Sequence, residues 1–156
     1  MQFLISYLYQ VRNIKTYMIP LSTARSDPKW YHEGQDKSHA FIDKNGVLVG
    51  MRASVFAPDD NCSQYCPICI DRVHPCKFLE EYAKQLDRLD FDALMEQFHF
   101  TESRIRSIVD FQGHEPIFIL LVHEAPNNPC SERGVIVNYF KKHGIDLKEF
   151  NKGEIL

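Results

Sequence analysis

A polar segment at positions 123–133, His-Glu-Ala-Pro-Asn-Asn-Pro-Cys-Ser-Glu-Arg, carries the side chains best suited to chemistry. It places a carboxylate (Glu124), a thiol (Cys130), a hydroxyl (Ser131) and a guanidinium (Arg133) in one turn-rich stretch. An apolar run precedes this segment and an amphipathic run follows it, which is typical of a strand that passes into a helix. Ligands of open α/β sheets bind beyond the carboxyl ends of the strands, so the pattern predicts a ligand site here.

The beginning of the following helix is predicted to bind an anion. Asn128 is a good N-cap and Pro129 suits the first helical position, which would leave the amides of residues 130–132 unpaired. With the positive end of the helix dipole and Arg133 nearby, these N–H groups would hold a phosphate or a carboxylate. The alternative is that these residues simply start a helix, with Arg133 on the surface.

The same segment also contains candidates for catalysis. At the end of the strand, His123 and Glu124 should point to opposite faces, and we favour Glu124 as the ligand-side group and as the acid/base of any reaction. Cys130, at a helix N-terminus near an arginine, has the setting of a nucleophilic cysteine. The alternative for Cys130 is a small, partly buried residue.

The first half of the chain offers further ligand-binding candidates. Ser22 and Arg25 follow a predicted strand and open a long polar loop, in which Arg25 would supply a second cation. Trp30 and Tyr31, in the middle of that loop, would stack on a base or a ring, unless Trp30 only anchors the loop to the core. Arg52 is a third candidate cation, and we expect it to converge with the others if the hairpin and the loop meet above the sheet.

The cysteines favour a metal site. Four of the chain's five cysteines, Cys62, Cys66, Cys69 and Cys76, lie close together in an insertion without hydrophobic periodicity. Thiolates at this spacing can bind a tetrahedral zinc ion, and His74 could replace one of them. Free or partly buried thiols are the main alternative. The odd cysteine count and the absence of a secretion signal favour a reducing compartment, so we expect a cytoplasmic protein.

Hydrophobic periodicity and turn residues predict the fold. We expect a single α/β domain over residues 1–150, with a mostly parallel central sheet flanked by helices, an added β-hairpin that turns at Asn45-Gly46, and a cysteine-rich insertion at 58–76. An amphipathic helix is predicted after the insertion, followed by two short helices, the second of which Thr101 or Ser103 would cap. Residues 151–156 are predicted to form a loose tail.

Composition limits the classes of partner. The formal net charge of −3 gives no strong signal for nucleic-acid binding. No apolar run is long enough to predict a membrane span. The composition is compatible with a homo-oligomer as well as with a monomer.

The segment LLVHEAPNNPCSERGVIVNYFKKHGIDLKEF, with ISYLYQ and IPLSTARSDPKWY upstream, resembles an uncharacterised α/β family of bacteria and their phages. Members of that family carry an apolar strand that ends in Cys-x-Glu, a short loop with proline, and Cys-His-Arg at the start of a helix. This chain diverges, because Val122 stands in place of the strand cysteine, and Ser131-Glu132-Arg133 aligns with Cys-His-Arg. The resemblance implies Glu124, Arg133 and Arg25 as site residues, and it favours ligand binding over thiol catalysis.

These observations predict a protein that binds a small anionic, nucleotide-derived ligand at the loop 124–133. In the phage setting that the resemblance implies, the protein would sequester a host signalling nucleotide. A hydrolase or transferase that acts on a nucleotide-like substrate, with Glu124 as acid/base or Cys130 as nucleophile, is one alternative. A protein-interaction module organised by zinc is the other, and the sequence leaves open whether the protein is an enzyme.

Overall fold

The centre of the molecule is a five-stranded sheet. The computed structural model describes residues 1–32, 40–65, 76–128 and 130–156. In their order across the sheet, the strands are β2 (Met18–Ser22), β5 (Ile117–Val122), β1 (Gln2–Tyr7), β6 (Lys148–Asn151) and β7 (Glu154–Ile155). The strands β1, β2, β5 and β6 run parallel, and β7 is antiparallel to β6. This arrangement confirms the predicted α/β class and its mostly parallel sheet.

The two central strands, β5 and β1, are apolar because both faces of the sheet are covered. Every residue of β5 is buried. β1 pairs with β5 in parallel register from Gln2 opposite Ile117 to Tyr7 opposite Val122. Full burial of one large apolar side chain contributes about 1.5–3 kcal/mol, so this pair of strands supplies much of the stability of the core.

Helices α2 (Lys77–Asp87), α3 (Phe91–Ile105) and α4 (Arg133–Lys142) contribute to the hydrophobic core on one face of the sheet. Phe3 of β1 lies at the centre of this core, with its ring centroid 4.9 Å from that of Phe98 in α3 and 5.4 Å from that of Phe140 in α4. Edge-to-face and tilted aromatic pairs add about 0.5–1.5 kcal/mol each beyond the area they bury. The aromatic contacts therefore join two helices to the same strand.

The opposite face is covered by shorter elements. These are the 3-10 helices Leu8–Asn13 and Lys29–His32, and a hairpin formed by β3 (Phe41–Ile42) and β4 (Leu48–Val49). In the hairpin, the Asp43 amide donates to the Val47 carbonyl at 2.9 Å, and Gly46 has a φ of +81° that favours glycine. The predicted hairpin and its turn are confirmed.

The parallel strands bring several connecting segments to one edge of the sheet. The chain leaves β5, forms α4 and returns as β6, and β1 lies between β5 and β6. The segments that follow β1, β2 and β5 therefore begin at the same edge, which we call the carboxyl edge. This edge carries the 3-10 helix Leu8–Asn13, the loop 23–32 and the loop 123–132.

The helix boundaries differ from the sequence predictions in two places. The two short helices predicted after α2 form the single helix α3, because Thr101 lies within it and no helix-breaking residue interrupts it. Its N-cap is Asp90, whose side chain accepts a hydrogen bond from the Ala93 amide at 3.1 Å. The helix α4 begins at Arg133 rather than directly after Asn128.

The last residues are also more ordered than the sequence predicted. Residues 151–156 were expected to form a loose tail, but the chain turns through Lys152 and Gly153, at φ angles of 53° and 84°, into β7. The Leu156 amide donates to the Glu149 carbonyl at 2.8 Å, which joins the end of the chain to β6.

The remaining helical elements are short. They are the 3-10 helix Ser54–Phe56 and the helix α1 (Asp60–Ser63), which lies at the start of the cysteine-rich segment. Within the described ranges, no helix has both the length and the apolar character needed to cross a lipid bilayer.

Candidate functional site

The carboxyl edge brings together charged side chains from separate segments of the chain. Glu124 follows β5, Glu132 and Arg133 lie at the start of α4, and Glu149 lies in β6. We call these residues the carboxylate–arginine cluster. Because it combines three carboxyl groups with one guanidinium, the cluster is rich in negative charge rather than positive charge.

Arg133 is the cation at the centre of the cluster. Its Nε lies 2.7 Å from Glu149 Oε1, and its Nη1 donates to the backbone carbonyl of Glu124 at 3.0 Å. The guanidinium carbon lies 5.8 Å from the ring centroid of Tyr7, the last residue of β1. The Arg133 side chain is only 11% exposed and that of Glu149 only 19%, so this ion pair is largely removed from solvent. Much of the charge of Arg133 is therefore neutralised inside the protein.

Glu124 and Glu132 form a carboxyl pair. The pKa of Glu132 is raised to about 7, first by burial and then by the charge of the Glu124 carboxylate and a hydrogen bond between the two groups. Arg133 acts in the opposite direction by its charge. With a pKa of about 7, Glu132 is partly protonated near neutral pH.

The cluster contains buried polar atoms without a partner among the described residues. These atoms are Glu124 Oε2, Glu149 Oε2 and Arg133 Nη2. Burial also raises the pKa of Glu149, although Arg133 opposes this shift. A buried polar atom without a hydrogen bond costs about 1–3 kcal/mol. A ligand with both donors and acceptors would satisfy these atoms, since the carboxylate oxygens accept and the guanidinium donates.

The loop 125–132 uses the amides that were predicted to bind an anion. The Cys130 amide donates to Asn128 Oδ1 at 2.8 Å, and the Ser131 amide contacts the Asn128 carbonyl at 3.3 Å. The prediction of free amides was therefore wrong at positions 130 and 131. Asn128 organises a tight turn ahead of the helix instead of capping the helix itself.

The other residues of this loop are placed as follows. His123 is exposed, and Glu124 faces the cluster, as expected for neighbours at the end of a strand. Ser131 is buried, and its Oγ accepts a hydrogen bond from the Arg133 amide at 3.1 Å. Cys130 is half-buried with a free thiol. Its predicted role as a nucleophile stays a prediction.

A groove of about 530 Å³ runs beside the start of α4. Pro126, Asn128, Ser131, Arg133 and Gly134 are among the residues that line it. A side-chain carbon added at Gly134 would meet no atom within 4 Å, so this glycine leaves the wall of the groove open. Of the cluster residues, Arg133 is the one that lines this groove.

Ser22 and Arg52 lie away from the cluster, in a second buried network at the carboxyl edge. Asp27, whose side chain is 0% exposed, accepts hydrogen bonds from Ser22 Oγ and the His32 ring, and forms an ion pair with Arg52. Burial alone would raise the pKa of Asp27, but these partners hold it below its ordinary value. The Arg52 guanidinium also donates to the Ala24 carbonyl. We call this set the Asp27 network.

Arg25 has a different role from the one predicted. Its guanidinium pairs with Asp60, donates to Ser63 Oγ at 2.9 Å and contacts the Pro58 carbonyl at 3.3 Å. These contacts join the loop 23–32 to α1. The expected convergence of Arg25 and Arg52 with Arg133 is not observed, because each of the three guanidinium groups is bound by its own set of partners.

The two aromatic candidates of the loop 23–32 differ in exposure. Tyr31 is 0% exposed, and its hydroxyl donates to the Met51 carbonyl at 2.7 Å, so it has no ring face for a ligand. Trp30 is 49% exposed and contacts Tyr31 edge to face, with the ring centroids 6.2 Å apart. The core anchor of the loop is therefore Tyr31, and Trp30 remains accessible.

The predicted zinc site is described only in part. Cys66 and Cys69 lie outside the described residues. Cys62 is buried, its thiol donates to Gln85 Oε1 at 3.3 Å, and burial raises its pKa to about 11. Cys76 is buried directly before α2. Over the described ranges no three His, Cys, Asp or Glu residues are grouped to hold a metal ion, and the zinc site stays a prediction.

The sequence interpretation missed three residues of the site. No role at the site had been assigned to the side chains of Glu132, Tyr7 and Glu149. Glu149 did carry a signal, because it is an acidic residue inside a predicted strand. That signal identifies a carboxylate at the sheet but neither its burial nor its partner.

Comparison with known proteins gives no further guide, since no family model, no curated protein and no solved structure matches this chain. The resemblance of the strand–loop–helix segment to the uncharacterised family stays a prediction. The function is therefore inferred from the geometry of the carboxyl edge.

Proposed function

We propose that this protein binds a small nucleoside-type molecule at the carboxylate–arginine cluster, chiefly through the ligand's hydroxyl and amine groups. The observation that carries the proposal is the buried Glu124–Glu132 carboxyl pair, in which Glu124 Oε2 has no partner among the described residues. Buried carboxyl groups with displaced pKa values, at the ligand-binding edge of a parallel sheet, are characteristic of functional sites.

The free atoms of the cluster define the chemistry of the ligand. Glu124 Oε2 and Glu149 Oε2 would accept hydrogen bonds from hydroxyl or amine groups, and Arg133 Nη2 would donate to an oxygen or a ring nitrogen. A ribose diol and the edge of a purine base both present such groups. The pairing of Arg133 with Glu149 supports recognition through these groups rather than through a phosphate alone.

The proposal is tested by thermal unfolding and calorimetry with a panel of nucleosides, nucleotides and free sugars. We expect at least one nucleoside-containing compound to raise the melting temperature, since a ligand at 100 times its dissociation constant stabilises by about 2.7 kcal/mol. The isosteric variant Glu124→Gln should lose most of this response. Glu115→Gln is a matched control, because Glu115 is 92% exposed and pairs with Arg106.

Two results would contradict the proposal. One is that no compound of the panel shifts the melting temperature, and that denatured protein releases no nucleoside-containing compound detectable by mass spectrometry. The other is that Glu124→Gln responds as strongly as Glu115→Gln. If a released compound is a signalling nucleotide, it would support the expected role in sequestration.

A second candidate function, hydrolysis, is favoured by the protonation of the same pair. Glu132, with a pKa of about 7, suits a general acid or base at neutral pH, and the adjacent Glu124 is a second carboxyl group for the complementary role. The substrate would be the glycosidic bond of a nucleoside, with water as the nucleophile. Release of free base, lost in both Glu124→Gln and Glu132→Gln, would support catalysis, whereas binding without base release would support a binding protein.

A further inference from the structure

A second hollow of about 210 Å³ lies between the hairpin and the segments that follow β1 and β2. Tyr9, Arg12, Trp30 and Lys44 are among its lining residues, and we call it the aromatic hollow. Sites that enclose a whole drug-sized ligand usually measure about 300–1,000 Å³. The aromatic hollow therefore suits a single planar ring.

The two aromatic side chains of the hollow are unusually open to solvent. Tyr9 is 54% exposed and Trp30 is 49% exposed. Trp30 packs edge to face against the fully buried Tyr31. An exposed indole face is a good surface on which a base can stack.

Arg12 adds a second stacking surface. Its guanidinium carbon lies 3.5 Å from the ring centroid of Tyr9, and its Nε donates to the Tyr9 carbonyl at 3.1 Å. Bases stack on guanidinium planes as well as on aromatic rings. The Arg12–Tyr9 pair and Trp30 thus offer a planar ring two surfaces that line the same hollow.

The charges in the hollow favour an anion. Arg12 and Lys44 are cations, and both are exposed. The hollow also contains Asp43, but its Oδ1 accepts hydrogen bonds from the Asn45 and Val47 amides at 2.8 and 3.0 Å, which commits that oxygen to the hairpin turn. A ligand that combines a flat ring with negative charge matches this arrangement.

We propose that the aromatic hollow binds a phosphorylated nucleobase, with the base stacked between Trp30 and Arg12 and the phosphate near Arg12 and Lys44. No residue of the carboxylate–arginine cluster is found among the described residues that line the hollow. Tyr7 stands between the two sites, with its ring 6.5 Å from that of Tyr9 and 5.8 Å from the Arg133 guanidinium. The proposal therefore does not depend on the proposed function of the cluster.

Trp30 itself provides the measurement, because it is the chain's only tryptophan. Its fluorescence is followed while AMP, UMP, adenosine, inorganic phosphate and a short single-stranded oligothymidylate are added to separate samples. We expect saturable quenching by the nucleotides, weaker quenching by adenosine and none by inorganic phosphate. Tighter binding of the oligothymidylate than of UMP would identify a single-stranded nucleic acid as the natural ligand. Tighter binding of UMP would identify a free nucleotide.

Substitutions in the hollow test whether the nucleotide binds at this site rather than to exposed aromatic and basic side chains in general. Tyr9→Ala and Arg12→Ala should each weaken nucleotide binding on the order of tenfold, since base stacking contributes about 1–3 kcal/mol per base. Arg12→Lys should retain the charge but lose the stacking plane, and so give an intermediate affinity. The matched control is the Phe100–Arg104 pair of α3, in which Phe100 is 64% exposed and the guanidinium carbon lies 5.7 Å from its ring.

The proposal is overturned if no base-bearing phosphate quenches Trp30 saturably, or if Arg104→Ala weakens binding as much as Arg12→Ala. Equal affinity of AMP and inorganic phosphate, measured by calorimetry, would also overturn it, because the base would then contribute nothing. Glu115→Gln, at an exposed position outside both sites, should leave the quenching unchanged. Because the quenching reports on Trp30 of the hollow, failure of the cluster to bind a nucleoside is distinguishable from failure of the aromatic hollow.

Discussion

The Asp27 network and the carboxylate–arginine cluster are built from similar groups at the same edge of the sheet, but their charges are balanced differently. The Asp27 carboxylate accepts hydrogen bonds from a hydroxyl and an imidazole and forms an ion pair with a guanidinium, and these contacts lower its pKa. In the cluster, three carboxyl groups compete for one guanidinium, and the pKa of Glu132 is raised to about 7. The first arrangement satisfies its carboxylate, whereas the second leaves carboxylate oxygens available to a ligand.

Under the proposed function, the Asp27 network serves the fold and the carboxylate–arginine cluster serves binding. A carboxylate whose hydrogen bonds are all made within the protein holds its elements together and has little left to offer a ligand. A cluster with excess carboxyl groups costs stability, and such a cost is usually found where function requires it. Four predictions test the contrast, in order of decreasing expected effect.

The largest effect is expected from removal of the Asp27 carboxylate. Asp27→Ala leaves the buried guanidinium of Arg52 without its counter-ion, and breaking a buried pair in this way costs about 3–5 kcal/mol. Urea unfolding measures the loss. The control is Asp60→Ala, because Asp60 pairs with Arg25 but is 93% exposed, and its removal should cost no more than about 1 kcal/mol. Similar values for the two variants would contradict the structural role of the network.

The next effect is a pH dependence of opposite sign in the two regions. Because the folded pKa of Asp27 is lowered, its contribution is present above the ordinary Asp pKa and is lost as the pH falls through the folded value. Because the folded pKa of Glu132 is raised, its contribution is present below the ordinary Glu pKa of 4.5 and is lost as the pH rises through about 7. The contribution of Glu132 to the free energy of unfolding that is lost in this way amounts to roughly 3 kcal/mol at most.

Glu132→Gln should remove only the second of these pH dependences. The free energy of unfolding, measured from about pH 2 to about pH 8, should then stay level near neutrality while the acid-side loss persists. A matched control is Glu154→Gln, because Glu154 lies in the exposed strand β7. If the wild-type protein keeps its full stability up to pH 8, the pKa of Glu132 is not raised in the folded protein.

Substitution of Gly134 should have a smaller effect on stability but a large effect on ligand binding. Gly134→Ala should stabilise α4 by up to about 1 kcal/mol, because alanine favours helix and its added carbon meets no neighbouring atom. Gly134→Leu should fold as well as wild type but fill the groove, and so reduce ligand binding at the cluster. Thermal unfolding and calorimetry on both variants provide the measurement. Undiminished binding by Gly134→Leu would show that the ligand does not enter through the groove.

The smallest effect is expected at Arg25, which the sequence had assigned to the ligand. The Arg25 side chain is 52% exposed and its partner Asp60 is 93% exposed, so the pair is screened by solvent. Arg25→Ala should change the free energy of unfolding by no more than about 1 kcal/mol and leave ligand affinity unchanged. A clear loss of ligand affinity in Arg25→Ala would show that Arg25 contributes to ligand binding.

Much of the fold could be predicted because its signals are local. The uninterrupted apolar residues of β5, the Asn45-Gly46 turn and the spacing of Tyr82 and Leu86 in α2 each act over a few positions. The errors were local as well. Thr101 resembles a helix cap, but Asp90 provides the cap of α3, and Asn128 resembles a helix cap but closes a turn.

The candidate site was predictable only in part, because a charge does not specify its partner. The position of Glu124 and Arg133 at a strand-to-helix junction followed from the sequence. That Arg133 would be neutralised by Glu149 did not, since this contact requires β6 to lie on the far side of β1 from β5. Strand order depends on packing between distant segments, which a pattern within one segment does not contain.

The sequence by itself determined the class of the fold, the apolar strands of its core and the stretch of chain at which polar groups gather. Only the tertiary structure decided which guanidinium groups are engaged and which carboxyl groups remain unsatisfied. The physical reason is that hydrophobic periodicity acts between near neighbours in the chain, whereas the state of a buried charge depends on every group that the fold brings to it.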